Sequence, residues 1–357
     1  MSGGTRPSFT VRPLESGGPV QMPQEFQPRR LVRKAVPVVA LIAALVLIVV
    51  LAPGLGQVRH LLSRADPGWI AIGVLFEALS CGSYVLLFRP VFCRRMPWRT
   101  SLEIAWAELA MGSIVPASGA GGLALGAWIL NQGGMPGDQI ARRSVAFFVL
   151  KSSVNFVAVA VIGTLMAFGL GPDVSLLLTA LPAALSVALI AFVLWLPRLG
   201  PGMKPPPDAG KLRKGSATAR AALFDGIDEA VKVVRSRQWM AIGGAFGYWA
   251  FDNAVLWATF HAFGASPPLT VILMGYLIGQ LGGLLPIPGG IGGIDGGLIG
   301  TLVVFGTPAA VTTAAVLAYR VILFWLPLLV GGVAFWSLRR GLNRPDRPDL
   351  CVVPAAA

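Results

Sequence analysis

The feature that most constrains this chain is a series of apolar runs long enough to cross a lipid bilayer. A bilayer core needs about 20 apolar residues per helix. Because lipid offers no partners to backbone polar groups, such runs fold as helices. The sequence therefore predicts an all-α, polytopic membrane protein with about six full transmembrane helices, at about 35–53, 69–88, 144–168, 175–196, 238–262 and 309–338.

The composition excludes the common soluble classes. Hydrophobic residues make up 55% of the 357 residues and charged residues 13%, whereas soluble domains average about 25% charged residues. Three cysteines and two histidines offer little for metal binding, so we expect no metal and no cofactor. The net charge of +13 lies mainly at the ends of apolar runs, which is typical of membrane proteins. We therefore expect lipid rather than nucleic acid as the partner.

Basic residues gather on one side of the predicted spans. With the N-terminus inside, about 25 of the 29 lysines and arginines fall in cytoplasmic segments, as the positive-inside rule requires. We therefore expect a multi-pass protein of the inner (cytoplasmic) membrane with both termini in the cytoplasm. The first run, 35–53, is interpreted as an uncleaved anchor, and a cleaved signal peptide is the alternative.

The polar segments divide the chain. Residues 1–28 are interpreted as a disordered tail, 29–340 as the membrane domain and 341–357 as a second cytoplasmic tail. The basic linker 198–237 carries apolar residues at helical spacing from Ser216 onward. This pattern predicts an amphipathic helix on the inner leaflet; a solvated connector helix is the alternative.

An internal repeat relates the two halves of the chain. The segment Trp69–Gly73 recurs as Trp239–Gly243, and Pro116, Gly119, Gly122 and Gly126 recur at the same offset of 170 positions as Pro286, Gly289, Gly292 and Gly296. Three full crossings separate the copies, and an odd number turns the second copy upside down. The sequence predicts inverted units of about 69–168 and 239–338, a plan found in secondary transporters.

Two further apolar stretches, about 101–132 and 269–305, are interrupted by Pro and Gly. They predict two re-entrant helical hairpins, the first entering from the cytoplasm and the second from outside. Irregular backbone at membrane depth must be packed in protein or line a wet cavity. A half-helix that begins there directs N–H groups at the cavity, which favours an anion. The alternative is that the glycines only permit close helix packing.

The second break carries a family resemblance. The run Pro286–Gly297 (PIPGGIGGIDGG), Ala318-Tyr319-Arg320 and Phe324–Pro327 resemble the C-terminal signature of the lysylphosphatidylglycerol synthase transmembrane-region, or flippase-like membrane domain, family. The resemblance implies functional roles for Gly289, Gly290, Gly292, Asp295 and Arg320. It also implies a stand-alone member without an aminoacyltransferase domain, whereas fused members translocate aminoacylated phosphatidylglycerol.

This chain departs from the family pattern at two places. It has Asp295 where the family usually has Glu. The first-half motif usually carries a Gly-Glu pair and an Arg, but Gly121–Leu125 is uncharged here. Whether the first hairpin binds a headgroup is therefore left open.

Basic residues inside the spans are candidate headgroup contacts, because charge at membrane depth costs about 2.5 kcal/mol or more. The planar guanidinium of Arg320 suits a phosphodiester; the alternative is a structural ion pair with Asp295, and a competing substrate would reconcile the two. Lys151 is a second candidate contact, with snorkelling to the inner surface as its alternative.

Acidic residues inside the spans are the other candidates. Glu77 could pair with Lys151 or carry a coupling proton, and Glu108, deep in a hairpin arm, is a similar candidate. Asp252 is expected to line the cavity. Trp and Tyr near span ends are interpreted as an aromatic belt.

The function predicted from these features is lipid translocation, not catalysis. An anionic or aminoacylated lipid headgroup would cross through a central polar cavity while its acyl chains stay in the bilayer. The sequence holds no nucleotide-binding loop, so transport would be downhill or ion-coupled. Two alternatives remain: transport of a small soluble anion, or a non-transporting partner of a lipid- or glycan-modifying enzyme.

Overall fold

The computed structural model describes residues 36, 40, 56–114, 120–169, 175–200, 211–280, 282 and 292–342. Within these ranges every regular element is helical, as predicted. The α-helices are α1 Gly56–Ser63, α2 Pro67–Phe92, α3 Trp98–Ile114, α4 Ala120–Gln132, α5 Gly137–Ala167, α6 Leu176–Trp195, α7 Lys211–Arg235, α8 Trp239–Ala262, α9 Leu269–Gly279, α10 Gly293–Val304 and α11 Ala309–Leu342.

Four of these helices are long and apolar enough to cross a membrane: Pro67–Phe92, Gly137–Ala167, Leu176–Trp195 and Ala309–Arg340. They confirm the predicted polytopic membrane protein. The fifth predicted span is the 24-residue α8, which is less apolar and runs alongside α2. The predicted first span, 35–53, lies outside the described residues apart from Val36 and Ala40.

The two helices that carry the repeated Trp-x-Ala-Ile-Gly segment run antiparallel. At one end the Asp66 N–H donates to the Ala262 carbonyl over 2.9 Å. Near the middle the Ser80 hydroxyl donates to the Tyr248 carbonyl over 3.0 Å. The start of α2 therefore lies beside the end of α8. The two copies face opposite ways, as the odd number of crossings predicts.

Small residues let α2 and α8 approach closely. A Cβ on Gly244 would lie 2.4 Å from the Leu87 nitrogen, and one on Gly247 would lie 2.6 Å from the Ser83 hydroxyl. Without such residues the backbones could not touch, and membrane helices rely on this contact because lipid gives no hydrophobic drive for association.

The contacts that the helices of the two units make with one another pair up when the units are exchanged. The first unit comprises α2 to α5, and the second comprises α8 to α11. Helix α3 packs against α11 as α9 packs against α5, and α2 and α8 each contact both α5 and α11. This is the pattern that two copies of one unit related by a twofold axis would give. The bounds of the units remain predictions.

Both hairpins are present as pairs of short helices. Helices α9 and α10 have 11 and 12 residues, so each spans less than about 20 Å at about 1.5 Å per residue, short of the bilayer core. The second hairpin differs from its predicted form. The prediction placed Asp295 in the break, but α10 begins at Gly293, because Gly292 takes φ +89° and caps it.

The linker helix α7 packs on the protein. Ile227, Ala230 and Val233 are buried, and the Glu229 carboxylate pairs with Arg142 at 2.9 Å and with Arg143 at 3.6 Å near the start of α5. This face of α7 is therefore covered by protein, and the contact of the helix with the inner leaflet stays a prediction. Two other apolar residues of this helix, Leu223 and Val234, stay exposed.

The α2–α8 contact can be tested with two neighbouring glycines. We expect Gly244→Ala to lower the free energy of unfolding by about 1–3 kcal/mol, the usual cost of overpacking. Gly243→Ala is the matched control, because nothing lies within 4 Å of its Cβ position. Thermal unfolding in detergent, followed by circular dichroism, measures both. Equal melting temperatures would contradict the close approach.

Candidate functional site

Six charged side chains are linked inside the bundle. They come from helices of both units, and hydrogen bonds, ring contacts or electrostatic interactions connect each to another. The four carboxyl-bearing residues are all at most 8% exposed. The set comprises Glu77, Glu108, Lys151, Asp252, Asp295 and Arg320. The structure thus brings together every charged residue predicted for the site.

Asp252 is satisfied by two tyrosines. The Tyr319 hydroxyl of α11 donates to Oδ1 over 2.9 Å, and the Tyr276 hydroxyl of α9 donates to Oδ2 over 2.5 Å. Each carboxyl oxygen of Asp252 therefore has its own donor. The side chain holds α8, α9 and α11 together, a structural role that its predicted position beside a cavity did not include.

Glu108 has a similar environment that is only half complete. The Tyr84 hydroxyl donates to Oε2 over 2.9 Å, but Oε1 is buried and has no hydrogen-bond partner among the described residues. The carboxyl group fills the space that Gly126 leaves open on α4, where a Cβ would lie 1.5 Å from Oε1. Glu108 therefore joins α2, α3 and α4.

The two acid–tyrosine pairs correspond between the units. In each, residues 24 positions apart link the first span to the first hairpin arm. The roles are exchanged: the tyrosine lies on the span in the first unit and on the arm in the second. Both units therefore join the first span to the first hairpin arm by a tyrosine–carboxyl hydrogen bond, although the residues at equivalent positions differ in type.

Lys151 lies between two aromatic rings. Its Nζ is 5.9 Å from the ring centroid of Tyr84 and 5.7 Å from that of Tyr248. At this distance the rings attract the ammonium. Glu108 and Asp252 act on it electrostatically, although neither forms an ion pair with it in the described part of the chain. The ammonium therefore lies among aromatic and carboxyl-bearing side chains of the bundle.

A carboxylate of the chain itself occupies the predicted anion site. At the start of α10, Asp295 Oδ2 accepts from the Gly292 N–H over 2.9 Å. Asp295 Oδ1 lies 2.6 Å from Arg320 Nε and 2.5 Å from Nη2. The structural ion pair is therefore present. A headgroup phosphate would have to replace Asp295 beside Arg320 rather than enter an empty site.

Glu77 does not form the ion pair with Lys151 that was one of its two predicted roles. Its carboxyl accepts from the Cys81 thiol one helical turn away over 3.3 Å, and no ion pair joins it to Lys151 within the described ranges. Asp252 is the charged group that acts on it electrostatically. Gly289 and Gly290, two further predicted site residues, lie outside the described residues.

Sequence reasoning missed the tyrosines. The chain has four tyrosines, and all four, Tyr84, Tyr248, Tyr276 and Tyr319, lie in or beside the charged cluster. Their aromatic-belt interpretation does not apply, because the hydroxyls of three of them donate to buried carboxyls. Each lies well inside an apolar stretch, and this position could have indicated that the tyrosines belong to the interior of the bundle.

The comparisons with known proteins agree with this architecture. The signature of the family described as "Lysylphosphatidylglycerol synthase TM region" matches residues 37–331. A "UPF0104 membrane protein" of Methanothermobacter thermautotrophicus is 23% identical over 322 residues, covering 83% of this chain and 93% of that protein. Matches of the same description from that organism are 37% identical over 91 residues and 30% over 86, covering 25% and 24% of this chain and 26% of each relative.

The hydrogen bonds to Asp252 predict that two tyrosines differ in their contribution to stability. Tyr319→Phe leaves a buried carboxyl oxygen without its donor, which costs about 1–3 kcal/mol. Tyr248→Phe should cost much less, because the Tyr248 hydroxyl makes no hydrogen bond to any described residue and its ring is kept. Thermal unfolding of the two variants measures the difference. A larger loss for Tyr248→Phe would overturn the assigned roles.

The Asp295–Arg320 pair predicts non-additive stability. Removing one partner of a buried ion pair costs about 3–5 kcal/mol; here the side chains are 11% and 18% exposed, so we expect the lower end. Asp295→Asn and Arg320→Gln should each destabilise the protein, and the double variant should lose clearly less than the sum. Denaturant unfolding in detergent gives the coupling energy. Additive losses would mean that the pair contributes nothing.

Proposed function

Since the chain belongs to the family of the lysylphosphatidylglycerol synthase TM region, we propose that it moves a lipid headgroup across the membrane while the acyl chains stay in the bilayer. The observation that carries the proposal is the cluster of six charged side chains, whose four carboxyl-bearing residues are buried. Charged groups at membrane depth cost about 2.5 kcal/mol or more each and are characteristic of transport pathways. Both units contribute to the cluster, as expected for a site between inverted units.

Arg320 is the proposed phosphate contact. Its guanidinium already binds a carboxylate, Asp295, at the capped start of α10. In this pair both guanidinium nitrogens contact one oxygen, Oδ1. A phosphodiester offers two such oxygens, which arginine can bind in a forked geometry. The headgroup would therefore exchange with Asp295, so that the site stays neutralised when no lipid is bound.

The charge balance favours a headgroup that also carries an ammonium group. Four carboxyl-bearing residues, Glu77, Glu108, Asp252 and Asp295, stand against two basic ones in the described cluster. A purely anionic headgroup would bring no cation to these carboxyl groups. An aminoacylated lipid supplies phosphate for Arg320 and an ammonium group for the carboxyls. We therefore propose the aminoacylated class over the purely anionic one.

The wider setting is proposed on the same basis. The protein would lie in the cytoplasmic membrane with both termini inside, as its basic loops favour, and would act as a translocator without chemistry of its own. A lipid-modifying enzyme that produces the aminoacylated lipid would be its functional partner.

A leaflet-specific assay in liposomes tests the proposal. The protein is reconstituted with aminoacylated phosphatidylglycerol, and an impermeant amine reagent reports the outer-leaflet headgroups over time. Arg320→Ala should slow the movement about tenfold or more, since hydrogen bonds to charged groups contribute about 1.5–3 kcal/mol. Arg94→Ala, at an exposed arginine in the turn after α2, is the control, and Arg320→Lys separates charge from forked geometry.

The outcomes distinguish the candidate functions. Equal movement by the parent and Arg320→Ala, with both folded, would contradict the role of Arg320. Uptake of a soluble anion without lipid movement would favour the anion transporter. Absence of both activities, together with co-purification of an enzyme, would favour a non-transporting partner.

A further inference from the structure

Glu108 is the buried acid whose hydrogen bonding is least complete. Its residue is 2% exposed, and Oε1 has no hydrogen-bond partner among the described residues. Asp252, its counterpart in the second unit, has a donor on each oxygen, and Asp295 has a cap and an ion pair. Of these three carboxyl groups, Glu108 is thus the one with an oxygen that accepts no hydrogen bond from a described residue.

The groups that act on Glu108 come from two neighbouring helices. Tyr84 of α2 donates to Oε2, and Lys151 of α5 acts on the carboxyl through its charge. On helix α4, Gly122 lies against the Glu108 backbone carbonyl and Gly126 against its carboxyl group, and no residue of that helix titrates. Helix α11 packs on the far side of α3, where Gly331 meets Trp106.

The position of Glu108 makes its charge consequential for the fold. An ionised carboxyl attracts the Lys151 ammonium and is a strong acceptor for Tyr84. A proton on Oε1 weakens both links at once and removes a charge from a region where charge is expensive. Because the carboxyl fills the gap at Gly126, these changes act on the packing of α3 against α4, and so on the first hairpin.

We propose that Glu108 binds and releases a proton at Oε1 in each transport cycle, and that this proton couples lipid movement to the proton gradient. The inference rests on the proposed function and adds its driving force. The step is a simple protonation: an O–H bond forms at Oε1 when the proton enters from one side and breaks when it leaves to the other.

The experiment uses the full chain in liposomes that contain aminoacylated phosphatidylglycerol and a trapped pH dye. A pH gradient of either sign is imposed, and lipid exposure and internal pH are recorded together. We expect the direction of net lipid movement to follow the sign of the gradient and protons to move with the lipid. A protonophore should abolish both effects.

Two variants on α3 test whether Glu108 is the residue that couples lipid movement to the proton gradient. Glu108→Gln should lose the gradient-driven movement and the accompanying proton flux. Glu103→Gln is the matched control on α3; Glu103 pairs with Arg99 at 3.2 Å and accepts from Ser337, so its variant should retain both. Melting temperatures of the two variants establish that each is folded. If Glu108→Gln does not fold, the parent's response to the gradient still decides whether protons are coupled.

Each result bears on the proposal. Lipid movement in the parent that ignores the gradient and carries no protons would overturn the inference and leave the proposed function standing. Equal loss in the Glu103 and Glu108 variants would remove the assignment to Glu108. No lipid movement under any condition would overturn both.

Discussion

The cost of holding charge inside hydrocarbon governs the rest of this structure. Each buried carboxyl group is compensated in a different way: by two tyrosines at Asp252, by a helix cap and a guanidinium at Asp295, by a thiol at Glu77 and by one tyrosine at Glu108. These partners lie on helices of both units. The carboxyl groups therefore gain their hydrogen-bond partners only when the helices of the bundle pack together, and the packing is complete only when these hydrogen bonds form.

Much of the fold followed from physical patterns in the sequence. Run length predicted the spans, and the repeat at an offset of 170 predicted that α2 and α8 run in opposite directions. The start of α10 was misplaced because its glycines suggested a break. Glycine is common inside membrane helices, and it was the cap formed by Gly292 and Asp295 that set the boundary.

The sequence predicted which charged residues belong to the site, but not which side chains they contact. Rarity of charge identified Lys151, Asp252 and Arg320, since each stands out in an apolar run. Which acid meets which donor depends on helix rotation and packing, and these rest on contacts such as Gly126 with Glu108 that no local pattern encodes. The tyrosines were not predicted as site residues because tyrosine in a membrane protein is common at the membrane–water interface.

The antiparallel pair of α2 and α8 has a consequence for how the chain is made. The Ser80 hydroxyl of α2 donates to a carbonyl 168 residues further along, so α2 leaves the ribosome long before its neighbour exists. During that interval the face of α2 that packs on α8 has no partner helix. The first half therefore stays incompletely packed until the second half is inserted.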